Sequence, residues 1–364
     1  RSGKIVDTSI VLKIIQDIKK NKINALIKYE KKFSKNSRIK PSSIEINQAI
    51  RSLNPKIKKA IDYAYSRIFK YHSLQKVKNI NYRDKLNNII QYKSVPINKI
   101  GIYVPANLPS TLLMNAIPAK IAGVKKIILA NPRLNKKLNP VVIYAARKLN
   151  IKDIYSIGGA QAIGSLTYIQ KVDKIVGPGN IYVARAKKEV FGDVGVEGMI
   201  AGPSEITVLA DKKSDIKNVI TSLIGQAEHD TNSQCIIISK NLSFLKKIKM
   251  LINSNLKYLP RQKIVKKSLK KNGLLIYATN DQNVIDLINL IAPEHLELNI
   301  SQPKKYLNKI INAGSICIGK FSAMAVTDYN AGVNHVLPTM GSARFSSGLN
   351  VADFYKKISY INLS

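Results

Sequence analysis

Beginning at Tyr103, short apolar runs rich in Ile and Val alternate with segments of helical apolar spacing, and the joints between them are brief and carry Gly or Pro. This alternation constrains the fold more than any other feature. Strands that alternate with helices over short loops are joined in parallel by right-handed crossovers, which forces a parallel sheet covered by helices. The series starts with YVP at 103–105, a helix over 110–122 ended by Gly123, the strand KKIILA, a helix after Pro140, and the strand DIYSI ending at Gly158 and Gly159. A further helix, the strand DKIV, the turn Gly177-Pro178-Gly179, a helix over 180–190 and the strand EITVLA follow. The alternation resumes at Ser214 with a helix to about His229, then QCIIIS, a helix, LLIYA, a helix, IAPEHLEL, a helix and SICIG.

Ahead of this series, 7–33 has helical spacing, Ser42 with Glu45 forms a capping box, and a helix follows Pro55 to about Val77. His72, on that helix, reads as structural. Two strands, 88–94 and 99–104, are expected on either side of a turn at 96–98. The expected class is α/β, with two domains of similar build preceded by an N-terminal helical segment. Pattern alone places 1–100 with 212–364 in one discontinuous domain and 101–211 in a domain inserted into it.

A chain of 364 residues, 45% of them hydrophobic, can bury two such cores. No apolar run approaches the roughly 20 residues that cross a bilayer, and RSGKIVDTSI lacks the layout of a secretory signal, so a soluble cytoplasmic protein without a membrane partner is expected. Lys and Arg number 59 against 22 Asp and Glu, a formal net charge of +37. The cations are spread through every segment, Lys far outnumbers Arg, and no nucleic-acid motif accompanies them, so the excess reads as compositional drift. Specific nucleic-acid binding is not expected, although polyanions should bind non-specifically at low salt. Cys235 and Cys317 each lie inside an apolar run and read as buried strand thiols.

Chemistry concentrates in a few stretches. Glu294 and His295 stand together behind Pro293. An imidazole can take a proton from an alcohol and a carboxylate can take one from water, so the pair suits two successive steps. Neighbours in a strand face opposite ways, so both serve one cavity only if the backbone bends there; Pro293 supplies a reason, pushing Ala292 towards extended geometry as at a helix start. Glycine turns at 158–164 and 177–180 let backbone N–H groups approach a phosphate, yet neither is GxGxxG and ordinary βα turns account for them equally well. AGPSE at 201–205 places Ser204 and Glu205 where a loop can meet a ligand. Gln226 and His229 lie three apart near a helix end, and Asp328 and His335 share TDYNAGVNHVLPT, giving nitrogen and oxygen donors suited to zinc, with manganese or cobalt also admissible.

Taken together, these stretches closely resemble the histidinol dehydrogenase family. The resemblance is carried by YVP at 103, PSTLLMNAIPAKIAGVKKIILANP from 109, GGAQAI from 158, VDKIVGPGN from 172, MIAGPSE from 199, GQAEH from 225, APEHLEL from 292, DYNAGVNHVLPT from 328 and ARFSSGL from 343, in family order. It implies two Rossmann-like three-layer α/β/α domains with parallel-rich sheets. It implies NAD-dependent oxidation of L-histidinol through the aldehyde to L-histidine, the end of histidine biosynthesis, with one zinc ion per subunit in a homodimer. Residue by residue, it implies Glu294 and His295 as the acid–base pair, and Gln226, His229 and Asp328 as zinc ligands that also face the substrate. Ser204, His295 and His335 match substrate contacts; Tyr103, Gln161 and Asn180 match contacts to NAD.

The chain departs from the family pattern in a short loop at 105–111 beside Tyr103, in a trimmed stretch after GGAQAIGSLTY, and in stopping at Ser364, where the family continues into a helical segment. That segment supplies a glutamate for the substrate and a histidine as fourth zinc ligand to the other subunit. The expectation is therefore that either the sequence is a fragment of a longer chain that carries this C-terminal helical extension, or zinc is held by three protein ligands plus water and substrate. The alternative is a catalytically impaired, truncated homologue acting as a basic binding protein.

Overall fold

The computed structural model describes residues 8–75, 77–105, 107–197, 202–256 and 259–363. Residues 199–201 of the MIAGPSE stretch and Ala106 of the 105–111 loop lie outside them. The chain forms two compact units, one comprising Arg1–Glu197 with Leu349–Ser364 and the other Gly198–Gly348.

In the first unit a five-stranded parallel sheet has the order Asp153–Tyr155, Lys126–Ala130, Lys99–Tyr103, Lys174–Val176, Gly195–Val196. Lys99–Tyr103 is central; Ile100 and Ile102 are wholly buried, which is why the run lacks polar alternation. The helix Ser9–Tyr29 lays Val11, Ile14, Ile15, Ile18, Ala25 and Leu26 against the helices Gly159–Tyr168 and Ile181–Val190. Gly164 permits that approach, since a Cβ there would lie 3.1 Å from the Ile18 side chain. On the other face the helices Pro109–Ala122 and Pro140–Lys148 pack together and against Ser43–Arg51 and Pro55–His72. The Ser42/Glu45 capping box forms as expected, with Glu45 N–H donating to Ser42 Oγ at 3.2 Å and the Ser42 N–H donating to the Glu45 carboxylate at 2.9 Å.

The helix expected to reach Val77 ends at His72. Its last carbonyls are taken by side chains: the buried His72 Nδ1 lies 2.8 Å from Ile68 O, and Ser73 Oγ donates to Phe69 O. His72 is thus the structural histidine its position suggested. Ile89–Pro96 does not join the parallel sheet; it pairs antiparallel with Ile80–Arg83 and Tyr355–Asn362. Neither partner was expected, because both are largely exposed and their sequences, INYR and YKKISYIN, lack a one-sided apolar pattern.

The second unit repeats the layout: Gly273–Tyr277, Gln234–Ser239, Glu205–Ala210, His295–Asn299, Ser315–Ile318, all parallel. EITVLA is therefore its central strand, buried at every position. The division expected at 100 and 211 shifts to 197 and 348, and the N-terminal helices belong to the first unit. No change of composition marks the true boundary, so counting strands into the wrong sheet was invited by the unbroken alternation. Two helices, Leu242–Asn255 and Gln262–Asn272, stand where one was expected. Cys235 and Cys317 are buried and unbridged. Among the described residues no helix is long and apolar enough to cross a membrane.

Candidate active site

The helix Asp281–Ile291 ends at Ala292, whose N–H donates to Ile288 O and whose φ of 47° and ψ of 61° are left-handed. The expected extended Ala292 is corrected: a helix stops here, and Pro293 follows because it cannot continue one. Glu294 comes next, immediately before the strand His295–Asn299. Its backbone is clamped, with Gly314 N–H donating to Pro293 O and Ser315 N–H to Glu294 O. Residue 314 must be glycine, since a Cβ there would lie 2.6 Å from Glu294 O.

This corner lets adjacent residues share a cavity. Glu294 Oε2 accepts the Glu205 N–H at 2.8 Å, and Oε1 lies 3.9 Å from His295 Nε2. On its other side, His295 Nε2 is 3.8 Å from Asp328 Oδ1. Pairing of His295 with Ile206 and of Glu297 with Val208 puts both side chains on the sheet face covered by the helix Ile216–Ala227.

Burial sets the charges. It pushes Glu294 up to about 8; the Glu205 N–H opposes this, while the Asp328 and Glu205 carboxyls reinforce it. Burial alone raises Asp328 to about 6. His295 falls to about 3, through burial first and then the nearby imidazoles of His335 and His229. His335 is lowered by burial as well, although its Nδ1 contacts Asp328 O at 2.9 Å. Glu294, His295, Asp328, His229 and His335 thus lie within electrostatic reach of one another, and without a ligand the cluster favours neutral forms.

The remaining expected donors lie in the same unit. Gln226, in the last turn of Ile216–Ala227, is fully buried. His229 follows just beyond the helix end and is exposed. Ser204 precedes the central strand, where its carbonyl accepts Gln234 N–H. Both amide atoms of Gln226, Asp328 Oδ1 and His295 Nδ1 are buried without a hydrogen-bond partner. Each such group costs about 1–3 kcal/mol unless something supplies the missing contact. Gln226, His229 and Asp328 offer nitrogen and oxygen donors of the kind zinc takes, two of them with vacant buried lone pairs, although among the described residues no three His, Cys, Asp or Glu side chains are gathered so that they could hold an ion by themselves.

The three dinucleotide candidates lie in the first unit. Tyr103 is buried at the carboxyl end of the central strand, and its hydroxyl accepts Gly159 N–H at 3.3 Å. Gln161 is buried and its amide donates to Glu30 Oε1 at 2.9 Å, the oxygen that also accepts Gly158 N–H at 2.9 Å. Asn180 is the exposed N-cap of Ile181–Val190, accepting from the N–H groups of Tyr182 and Val183 at 3.1 Å each. Gly177 N–H donates to Glu197, which pairs with Lys187. Glu30 went unnoticed in the sequence, yet it occupies an inward position one turn after the buried Leu26, where a carboxylate is out of place unless it has a task.

The histidinol dehydrogenase family model matches residues 4–364. The histidinol dehydrogenase of Pelagibacter ubique (strain HTCC1062) is 59% identical over 372 residues, covering all of this chain and 87% of that protein. That of Lactiplantibacillus plantarum (strain ATCC BAA-793 / NCIMB 8826 / WCFS1) is 41% identical over 362 residues, covering 97% of this chain and 84% of that protein. A crystal structure of histidinol dehydrogenase from Elizabethkingia anophelis superposes with a TM-score of 0.95 at 39% identity, covering all of this chain and 86% of that chain. A match over nearly every residue, with a fold that superposes at a TM-score of 0.95, means that the chain belongs to the histidinol dehydrogenase family.

Proposed function

We propose that the chain oxidises L-histidinol through L-histidinal to L-histidine, with Glu294 and His295 as the acid–base pair. The convergence of the Glu294 and Asp328 carboxyls on His295 Nε2, at 3.9 and 3.8 Å in a buried corner, carries this reading. When bound, zinc supplies an anchor for the substrate's nitrogen atoms and NAD the two-electron acceptor of each oxidation.

His295, held unprotonated by burial, accepts the alcohol proton in the first oxidation. The carboxyls of Glu294 and Asp328 flank the nitrogen that receives it, and as carboxylates they stabilise the resulting imidazolium. Glu294, whose proton affinity is raised towards neutrality, takes a proton from the water that adds to the aldehyde. Gln226, His229 and Asp328 hold the metal, and Ser204, His295 and His335 contact the substrate. Tyr103, Gln161 and Asn180 contact NAD, and the working form is a homodimer in the cytoplasm.

The zinc-loaded protein given NAD and L-histidinol should release about two NADH per substrate, one for each two-electron step. Glu294→Ala should slow aldehyde to acid more than alcohol to aldehyde. Equal losses in the two half-reactions would overturn the division of labour.

A further inference from the structure

We propose that Glu297 is a positioning residue that fixes the spacing between the two helices bearing Gln226 and Asp328, an inference that rests on the metal-holding role given to those side chains above. Glu297 lies two residues beyond His295 on the same strand face, 4% exposed. Its Oε1 accepts the Met324 N–H at 2.8 Å, at the start of the helix Met324–Tyr329. Its other polar neighbour is Ser222, on Ile216–Ala227, whose hydroxyl helps to hold the Glu297 proton affinity down.

Each link sits one helical turn from a donor: Met324 is four residues before Asp328, and Ser222 is four before Gln226. Residues so spaced share a helix face. One carboxylate on an interior strand is thus bonded to one of these helices and faces a hydroxyl of the other, and the two helices pack on each other. Burial raises the proton affinity of Glu297, opposed by the Met324 and Ser222 donors. A leucine of similar size would fill the space without that penalty. What the leucine lacks is a pair of acceptor oxygens that hold both helices to the strand.

The test compares zinc affinity, by chelator competition, and the visible spectrum of the cobalt-loaded protein across variants of the full chain. Glu297→Leu should weaken zinc binding about 10–100-fold, as removal of partners that orient ligands does, and should alter the cobalt bands. Glu297→Gln keeps an acceptor for Met324 and an amide that meets the Ser222 hydroxyl, so it should stay within about threefold of the parent. Ser222→Ala breaks one link and should fall between, at about 3–10-fold. Parental affinity and spectrum in Glu297→Leu, or a Gln variant as defective as the Leu variant, would overturn the proposal. If Glu297→Leu does not fold, Ser222→Ala decides, and parental metal binding in it is the overturning result. Asp328→Ala separates the two ideas: if it too binds zinc like the parent, the metal assignment fails, whatever Glu297 does.

Discussion

The two units share one strand order, with the first strand at the centre and the crossovers running outward to either side, yet they gather their polar residues at opposite ends of the sheet. In the first unit Tyr103, the Gly158 turn and the Gly177 turn all follow the carboxyl ends of strands, where the next helices present their positive ends. That is the ordinary place for a phosphate-bearing ligand. In the second unit Ser204, Glu205, Glu294 and His295 lie at the amino ends of strands, and Gln226 sits in the finishing turn of a helix and His229 just past it, where the partial charge is negative. An end of that sign suits a cation. Glu30, Glu197 and Asn180 bond the first unit's turns from within, although Ser156 Oγ just before the Gly158 turn lacks a partner, as do atoms of Gln226, Asp328 and His295 in the second unit. One topology thus places helix ends of opposite sign beside the two sets of polar residues.

The contrast breaks most readily at the chemistry. His295→Ala should lower the first oxidation by about 10²–10⁴-fold in stopped-flow NADH formation, the usual worth of a positioned base. If Asn180→Ala loses as much kcat, chemistry is not confined to the second unit. Asp328→Ala should weaken zinc at least about a hundredfold, more than loss of an orienting neighbour does, while Glu30→Ala leaves zinc affinity unchanged in the same titration. Glu30→Ala should instead lower stability by about 2–4 kcal/mol in urea unfolding, because it strands the Gly158 N–H and the Gln161 amide in the interior. A loss within experimental error would mean that the first unit's turn is not sealed by that carboxylate.

A smaller effect concerns pH. In the metal-free chain Glu294 has its proton affinity raised from an ordinary 4.5 to about 8. The folded state then holds a proton that the unfolded state gives up, so this contribution is present below about 4.5 and is lost as pH rises through about 8. Glu294→Gln should flatten the decline in melting temperature over that window, and an unchanged slope would deny the shift. Smallest of all, Lys19→Ala removes an exposed ion pair with Asp193 and should change stability by less than about 1 kcal/mol.

Much of this was legible beforehand. The alternation from Tyr103 onward located every parallel strand but the exposed two-residue edge strand Gly195–Val196, because the inner strands, buried on both faces, must be apolar throughout. The shared corner at Glu294 and His295 was anticipated in outcome but not in mechanism: proline was taken to open a helix, whereas a left-handed Ala292 closes one. The unit boundary was illegible because EITVLA looks the same in either sheet; only pairing partners distinguish them. Glu30 and Glu297 were overlooked for a common reason. Each is a lone acid within an apolar pattern, and what it bonds is decided by residues far away in the chain. The antiparallel strand Tyr355–Asn362 was missed since its exposed lysines obscure its period.

That last strand has a consequence for biosynthesis. It pairs along its whole length with Ile89–Pro96, so the three-stranded sheet lacks an edge until the ribosome has already delivered the second unit. The contiguous second unit can collapse while synthesis continues, whereas the first waits with an open flank for its closing piece. Nascent chains stalled before residue 355 should therefore protect the later-made unit from protease while the earlier-made one remains the more readily cut.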